Sequence, residues 1–174
     1  MTTTTSGQTY AIDPSHSEVG FAVRHLMIAK VRGYFTGFHG TVELGSNGEI
    51  PTSIDGTIDA TSVHTREEKR DAHLRSADFF DVENHPAITF KSTSISGSGT
   101  EFTIEGNLTI HGQTNPVTLK AEVGGRTIDP WGNDRLAYSA TGRIKRGDFG
   151  LTFGTGMVSD EVDITIEIEA TLNK

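Results

Sequence analysis

The side chains of this chain that could do chemistry are 7 histidines, 23 carboxylates and a scatter of serines, with no cysteine. No two histidines stand as H-x-H or H-E-x-x-H, so the spacing offers neither a zinc-binding set nor a thiolate site. The expectation is no metal and no cofactor. A G-x-S-x-G elbow is also missing, and the serines fall in turn-like or polar strand contexts, which leaves nucleophilic catalysis no footing. Asp55 and Asp59 share the wet face of one alternating segment, where solvated carboxylates are the ordinary arrangement, and residues 66–75 mix both charges as a solvated helix face does. His25 differs, because its parity is that of Phe21 and Val23 on a dry face. An imidazole there suits a hydrogen-bonded place at the mouth of a barrel, or alternatively an acid–base role. No catalytic residue is assigned.

The elements that must position these groups are strands. Residues 162–172 alternate apolar and polar side chains throughout, a period that only a strand with one dry and one wet face can satisfy. The composition agrees: 24 Thr, 14 Ile and 10 Val stand against 8 Leu, with 20 Gly to make turns. The dry register passes through Tyr10 and Ile12, then Val19 to His25, Phe38 to Leu44 and Ile54 to Ala60. It continues through Ile88 and Phe90, Phe102 to Ile110, Val117 to Val123 and Leu136 to Ile144. Turn signals separate these runs at Ser46-Asn47-Gly48, at 96–99, at 112–116 and at Gly124-Gly125. The spacing predicts an all-β protein, an extended eight-stranded antiparallel barrel whose closure removes exposed edges. One short helical segment interrupts it over 65–74, with Thr65 as its cap, and the aromatic continuation at 78–82 is expected to lid one end.

Several dry positions are small, namely Gly40, Gly56, Ala60, Gly106, Ala121, Ala140 and Gly142. Single glycines in a barrel let the sheet bend. Taken together they leave unfilled space, since an eight-stranded barrel is only wide enough for ordinary side chains or one slim ligand. Aromatic walls from Phe21, Phe38, Phe90, Phe102 and Tyr138 would suit a hydrocarbon.

At 174 residues and a net charge of -8 the chain reads as one domain over 9–174, with a disordered lead over 1–8. Its Lys and Arg alternate with Asp and Glu, so no basic stripe exists to follow a nucleic acid. No apolar run approaches the roughly 20 residues of a membrane-spanning helix. The opening MTTTTSGQ has neither a basic start nor an apolar core, so the expected compartment is the cytoplasm.

Five segments together resemble the YceI-like family: residues 10–25, Arg32-Gly33-Tyr34-Phe35, residues 70–82 followed by Pro86 and Ile88-Thr89-Phe90, residues 106–112, and residues 146–151. Tyr10 stands where many members carry Trp, and many relatives are periplasmic. The resemblance implies a lipocalin-like barrel whose apolar tunnel binds or transports a long polyisoprenoid or related amphiphile, without established chemistry. On this reading the tunnel is lined by Phe21, Val23, Phe38, Val42, Leu44, Phe90, Phe102, Ile104, Gly106, Leu108, Tyr138, Ala140 and Ile144. Arg24 and His25 stand near the polar head. A homodimer would fit an elongated barrel. Two alternatives stay open, an isomerase or dehydratase using the barrel as a dry chamber, and a stress-related scaffold with a promiscuous pocket.

Overall fold

Period-2 alternation makes antiparallel strands along almost the whole chain in the computed structural model, which describes residues 7–46 and 48–173. Residues 1–6 of the lead expected over 1–8, and Asn47 of the first turn, lie outside the described residues. Gln8, assigned to the lead above, already pairs with Leu44. The first strand, β1 (Gln8–Ile12), is followed by β2 (Glu18–His25), β3 (Ala29–Phe35), β4 (Phe38–Leu44), β5 (Pro51–Asp59) and the short β6 (Val63–His64). Helix α1 (Glu68–Arg75) comes next. The chain then returns as β7 (Ala87–Ser98), β8 (Glu101–Ile110), β9 (Gln113–Ile128), β10 (Asp134–Lys145) and β11 (Glu161–Leu172).

Eight of these strands close a ring in the order β1-β4-β5-β7-β8-β9-β10-β11, with β11 pairing back to β1. Pairing β2, β3 and β6 prolongs the wall, because β1 and β2 both run along β11: Ile12 faces Ala170 and Glu18 faces Glu167. Pro14 lacks an N–H and breaks this long strand at a single 3-10 turn. The strand β3, not anticipated above, carries Val31, Gly33 and Phe35 inward; its outward Lys30 and Arg32 hid a pattern only three residues deep.

Two turn expectations are corrected. The turn placed at 112–116 is a two-residue hairpin at His111-Gly112, both left-handed (φ 55 and 72), and Pro116 sits inside β9 opposite Asn107. Gly124-Gly125 is a bulge in β9, not a turn, since Val123 faces Tyr138 and Gly125 faces Ala137, leaving Gly124 extra. The turn itself comes at 129–133, where the Asp129 carboxylate accepts from the amides of Trp131 and Asn133 at 2.9 Å each and from Arg135 Nε at 2.7 Å.

One end of the barrel is packed solid. Tyr10, Val42, Leu44 and Leu136 are there 0–1% exposed, and the Tyr10 hydroxyl donates to Asp134 at 2.9 Å. Around that end the carboxyls are held low. The His16 ring and Ser15 beside Asp13, together with Arg135, keep its carboxyl below the usual carboxylate range, and the Arg126 guanidinium does the same for Asp134. Burial pushes Asp129 up, but its bonds from Arg135 and Asn133 prevail. Groups with depressed folded pKa contribute stability that is complete above their unfolded value of about 3.9 and is lost as pH falls toward the folded values. The melting temperature is therefore expected to fall once pH drops below about 4. Arg135→Gln should lower it at pH 7 and make that acid limb shallower; an unchanged acid limb would refute the assignment.

Candidate functional site

Above the packed end the barrel is hollow. Inward side chains on β2, β7, β10 and β11, among them Phe21, Phe90, Ile144, Ile164 and Ile166, are only half-buried because open space adjoins them. That space is a cavity of about 460 Å³ with an almost wholly apolar wall. It lies within the roughly 300–1,000 Å³ of small-molecule sites, and its wall has fewer polar groups than most of them.

Two segments cover the upper end. The first, residues 65–86, contains α1 and supplies Leu74, Phe79 and Phe80; the second, residues 150–158, supplies Leu151, Phe153, Met157 and Val158. They meet through three rings, with centroids of His73 and Phe79 at 5.0 Å, His73 and Phe153 at 4.9 Å, and Phe79 and Phe153 at 5.3 Å, all edge-to-face. Beside them the β2–β3 hairpin tip exposes Met27 (67%) and Ile28 (82%), and Leu26 N donates to Met157 O at 2.7 Å. The rim is thus apolar as well as the wall. Among the described residues no helix is long and apolar enough to cross a membrane.

Each covering segment is held by a buried polar group. Thr65 was expected to cap the helix, but Glu67 does so, its carboxylate accepting from the amides of Lys69 and Arg70. Thr65 is instead buried, donating from its amide (2.8 Å) and hydroxyl to Asp71 while Arg70 Nε and Nη2 donate to its hydroxyl and carbonyl at 2.8 and 2.7 Å. Burial pushes the Asp71 carboxyl up, but the bonds from Thr65 and the charges of His64 and Arg75 leave it low. The buried Arg146 donates to the carbonyls of Leu151 and Phe153 at 2.7 Å each, Ser159 at 3.0 Å and Val158 at 3.2 Å, and so shapes the second segment.

Of the residues expected to line the tunnel, Phe21, Val23, Phe38, Phe90, Ile104, Leu108, Tyr138, Ala140 and Ile144 border the cavity, and so does His25. Four do not. Val42 (0% exposed), Leu44 (1%) and Phe102 (4%) belong to the packed end, because parity tells which face a side chain takes but not at what height along the barrel. Gly106 faces inward, yet a Cβ there would stand 2.4 Å from Phe90 Cζ: the ring lies over the glycine and occupies the space expected to be empty. The same holds at Gly33, where Phe21 Cζ would be 2.4 Å away, and at Gly142 under Leu119. The glycines widen the cavity indirectly, by letting large side chains lie flat on the wall. Arg24 was expected near the head group, but strand alternation turns it to the outer face, where its backbone is tied to Ser159. His25, though exposed, reaches the cavity and bridges to Val158.

The insertion covers one end as its aromatic run at 78–82 led one to expect, with Phe79 and Phe80 in the lining, whereas the lining from the 150–158 segment and β11 was not foreseen. For β11 the signal was present, since Ile164, Ile166 and Ile168 lie on the dry face of the alternating run 162–172. For Phe153 and Met157 there was none, as irregular segments carry no period.

The YceI-like domain matches residues 10–170. The chain belongs to the YceI-like family. Protein YceI of Salmonella newport (strain SL254) is 40% identical to it over 167 residues, which is 95% of this chain and 87% of that one. The crystal structure of Burkholderia cenocepacia BcnA superimposes with a TM-score of 0.81 at 26% identity, over 92% of this chain and 99% of the other. A polyisoprenoid binding domain from Saccharophagus degradans, implicated in plant cell wall breakdown, superimposes with a TM-score of 0.75 over 95% and 99%; at 16% identity that likeness shows the YceI-like fold.

Proposed function

We propose that this YceI-like barrel binds and carries a long-chain polyisoprenoid or related amphiphile. The observation that carries the reading is the 460 Å³ cavity, whose wall is apolar and whose mouth is ringed by apolar side chains. Polar groups at the wall are largely committed: Thr65, Arg70 and Arg146 all serve the covering segments. The isoprenoid class is supported by the polyisoprenoid binding domain from Saccharophagus degradans, which has this fold. Each buried methylene is worth ~0.8 kcal/mol, so a few five-carbon units supply on the order of 10 kcal/mol before ordering costs. We assign the polar head to His25 because it borders the cavity while its side chain is exposed.

Native mass spectrometry of protein purified from its own cells tests this reading, with a co-purified lipid of defined mass as the expected result. His25→Gln keeps a neutral hydrogen-bonding group and should change lipid affinity by about 1–2 kcal/mol at most, with no change in the mass of the lipid for either protein. If the wild type converts the lipid to a product and the variant does not, at equal retention, the barrel is an enzyme and the carrier reading fails.

A further inference from the structure

The fold assembles a histidine pair that no sequence spacing announces. His111 stands at the tip of the β8–β9 hairpin, and His85 and Asp81 stand one turn apart in the segment that follows α1. One donor atom from each of Asp81, His85 and His111 lies within 4.8 Å of the other two, and the rings of His85 and His111 are 4.9 Å apart. All three residues are half-buried.

Local structure brings them to this point. Asp81 and His111 both adopt left-handed backbone angles, φ 49 and 55, in the two turns that meet here. Gly112 leaves the approach clear, since a Cβ there would meet His85 Cε1 at 2.9 Å and Nδ1 at 3.2 Å. The amide of His85 donates to the Asp81 carbonyl at 2.8 Å, fixing the pair. Asn84 Nδ2 donates to the Asp81 carboxylate at 3.0 and 3.2 Å, the kind of outer contact that orients a metal-binding carboxylate.

We propose that Asp81, His85 and His111 bind a divalent cation of borderline softness, zinc, cobalt or nickel, which ties the covering segment to the β8–β9 turn. Two imidazoles and one carboxylate are the donor set such ions take, with ligand bonds of ~2.0–2.1 Å and a further position left for water. Donor atoms within 4.8 Å of one another close to that geometry by side-chain rotation alone. No lysine or arginine among the described residues pairs with Asp81 to compete for its charge. The contrast with a second cluster is instructive. Asp13, His16 and Glu169 are equally close, but Arg135 stands 3.2 Å from Asp13 and 3.6 Å from Glu169, so a guanidinium already fills the place of the cation. The proposal is independent of what the cavity holds.

The test uses the untagged 174-residue chain, stripped with a strong chelator and titrated with cobalt(II) and then zinc(II). One cobalt ion per chain with visible ligand-field bands is expected, displaced by one zinc ion, together with a rise of several degrees in melting temperature. His85→Gln, His111→Gln and Asp81→Asn should each weaken binding at least tenfold. Should Asp81→Asn prove unstable, the two histidine variants carry the test. Zinc should also slow amide exchange over residues 79–86 in the wild type and not in His111→Gln. Failure of the wild type to bind one ion per chain, binding undiminished in the histidine variants, or exchange indifferent to zinc would each overturn the proposal.

Discussion

Ala140→Phe is expected to leave the barrel folded and to lower affinity for a long isoprenoid probe at least tenfold. Ala140 faces the cavity from β10 between Ala121 on one side and Ile166 on the other. Ala140 borders the cavity but is itself buried among Ala121 and Tyr138, so the added ring has to turn into the cavity at an overpacking cost of about 1–3 kcal/mol. The ligand loses that volume. Each buried methylene displaced forfeits ~0.8 kcal/mol, and two of them already reach tenfold. Gly106→Ala makes the informative contrast. It adds one carbon against the Phe90 ring and within 2.7 Å of the Lys91 carbonyl, so it should cost stability first and ligand second, by pushing the ring inward. Thermal melts and a fluorescent polyene titration separate the two variants. Equal probe affinity in Ala140→Phe and the wild type would show that the cavity is not where ligand resides.

Arg146→Leu is expected to be the most destabilising single change. Its guanidinium serves four backbone carbonyls of the 150–158 segment and its neighbour Ser159, and burial lowers its pKa without removing its charge. Leucine conserves bulk but leaves those carbonyls without donors, at a cost of about 1–3 kcal/mol for each one that stays dry. A total of at least about 3 kcal/mol corresponds to a fall of roughly 10 °C in melting temperature for a chain of this size. Arg146→Lys should recover only part of it, because an ammonium cannot reach four acceptors spread over a planar fork. Differential scanning calorimetry decides the matter; a fall of under 3 °C for Arg146→Leu would show that water replaces the guanidinium without loss.

The sequence disclosed the strands well and the cavity unevenly, for one physical reason. Alternation reports which face a residue takes, so the inward register of β2, β4, β8, β10 and β11 was legible from Val23, Leu108 or Ile144 alone. It says nothing about depth, so Val42 and Leu44 at the packed end were indistinguishable from Phe21 at the hollow end. Gly106 misled in another way. A missing side chain reads as space, whereas space in a folded barrel belongs to whichever neighbour reaches it first, here the Phe90 ring. The first covering segment was legible as an aromatic lid at 78–82, but the second was not, since the placing of Phe153 and Met157 depends on Arg146, whose partners are up to 13 residues away. The meeting of His111 with Asp81 and His85 was hidden altogether, since it is made by a hairpin tip touching a distant turn.

Among the described residues, the solid packing of Tyr10, Val42, Leu44 and Leu136 closes this barrel at one end. Cargo cannot be threaded through it. With the polar head at His25, as proposed, a chain enters tail first and leaves head first by the end that the Phe79 and Phe153 segments cover. Exchange of one cargo for another is therefore sequential, so the emptied barrel is an obligatory stage of every transfer. A donor and an acceptor must be visited in turn, never bridged.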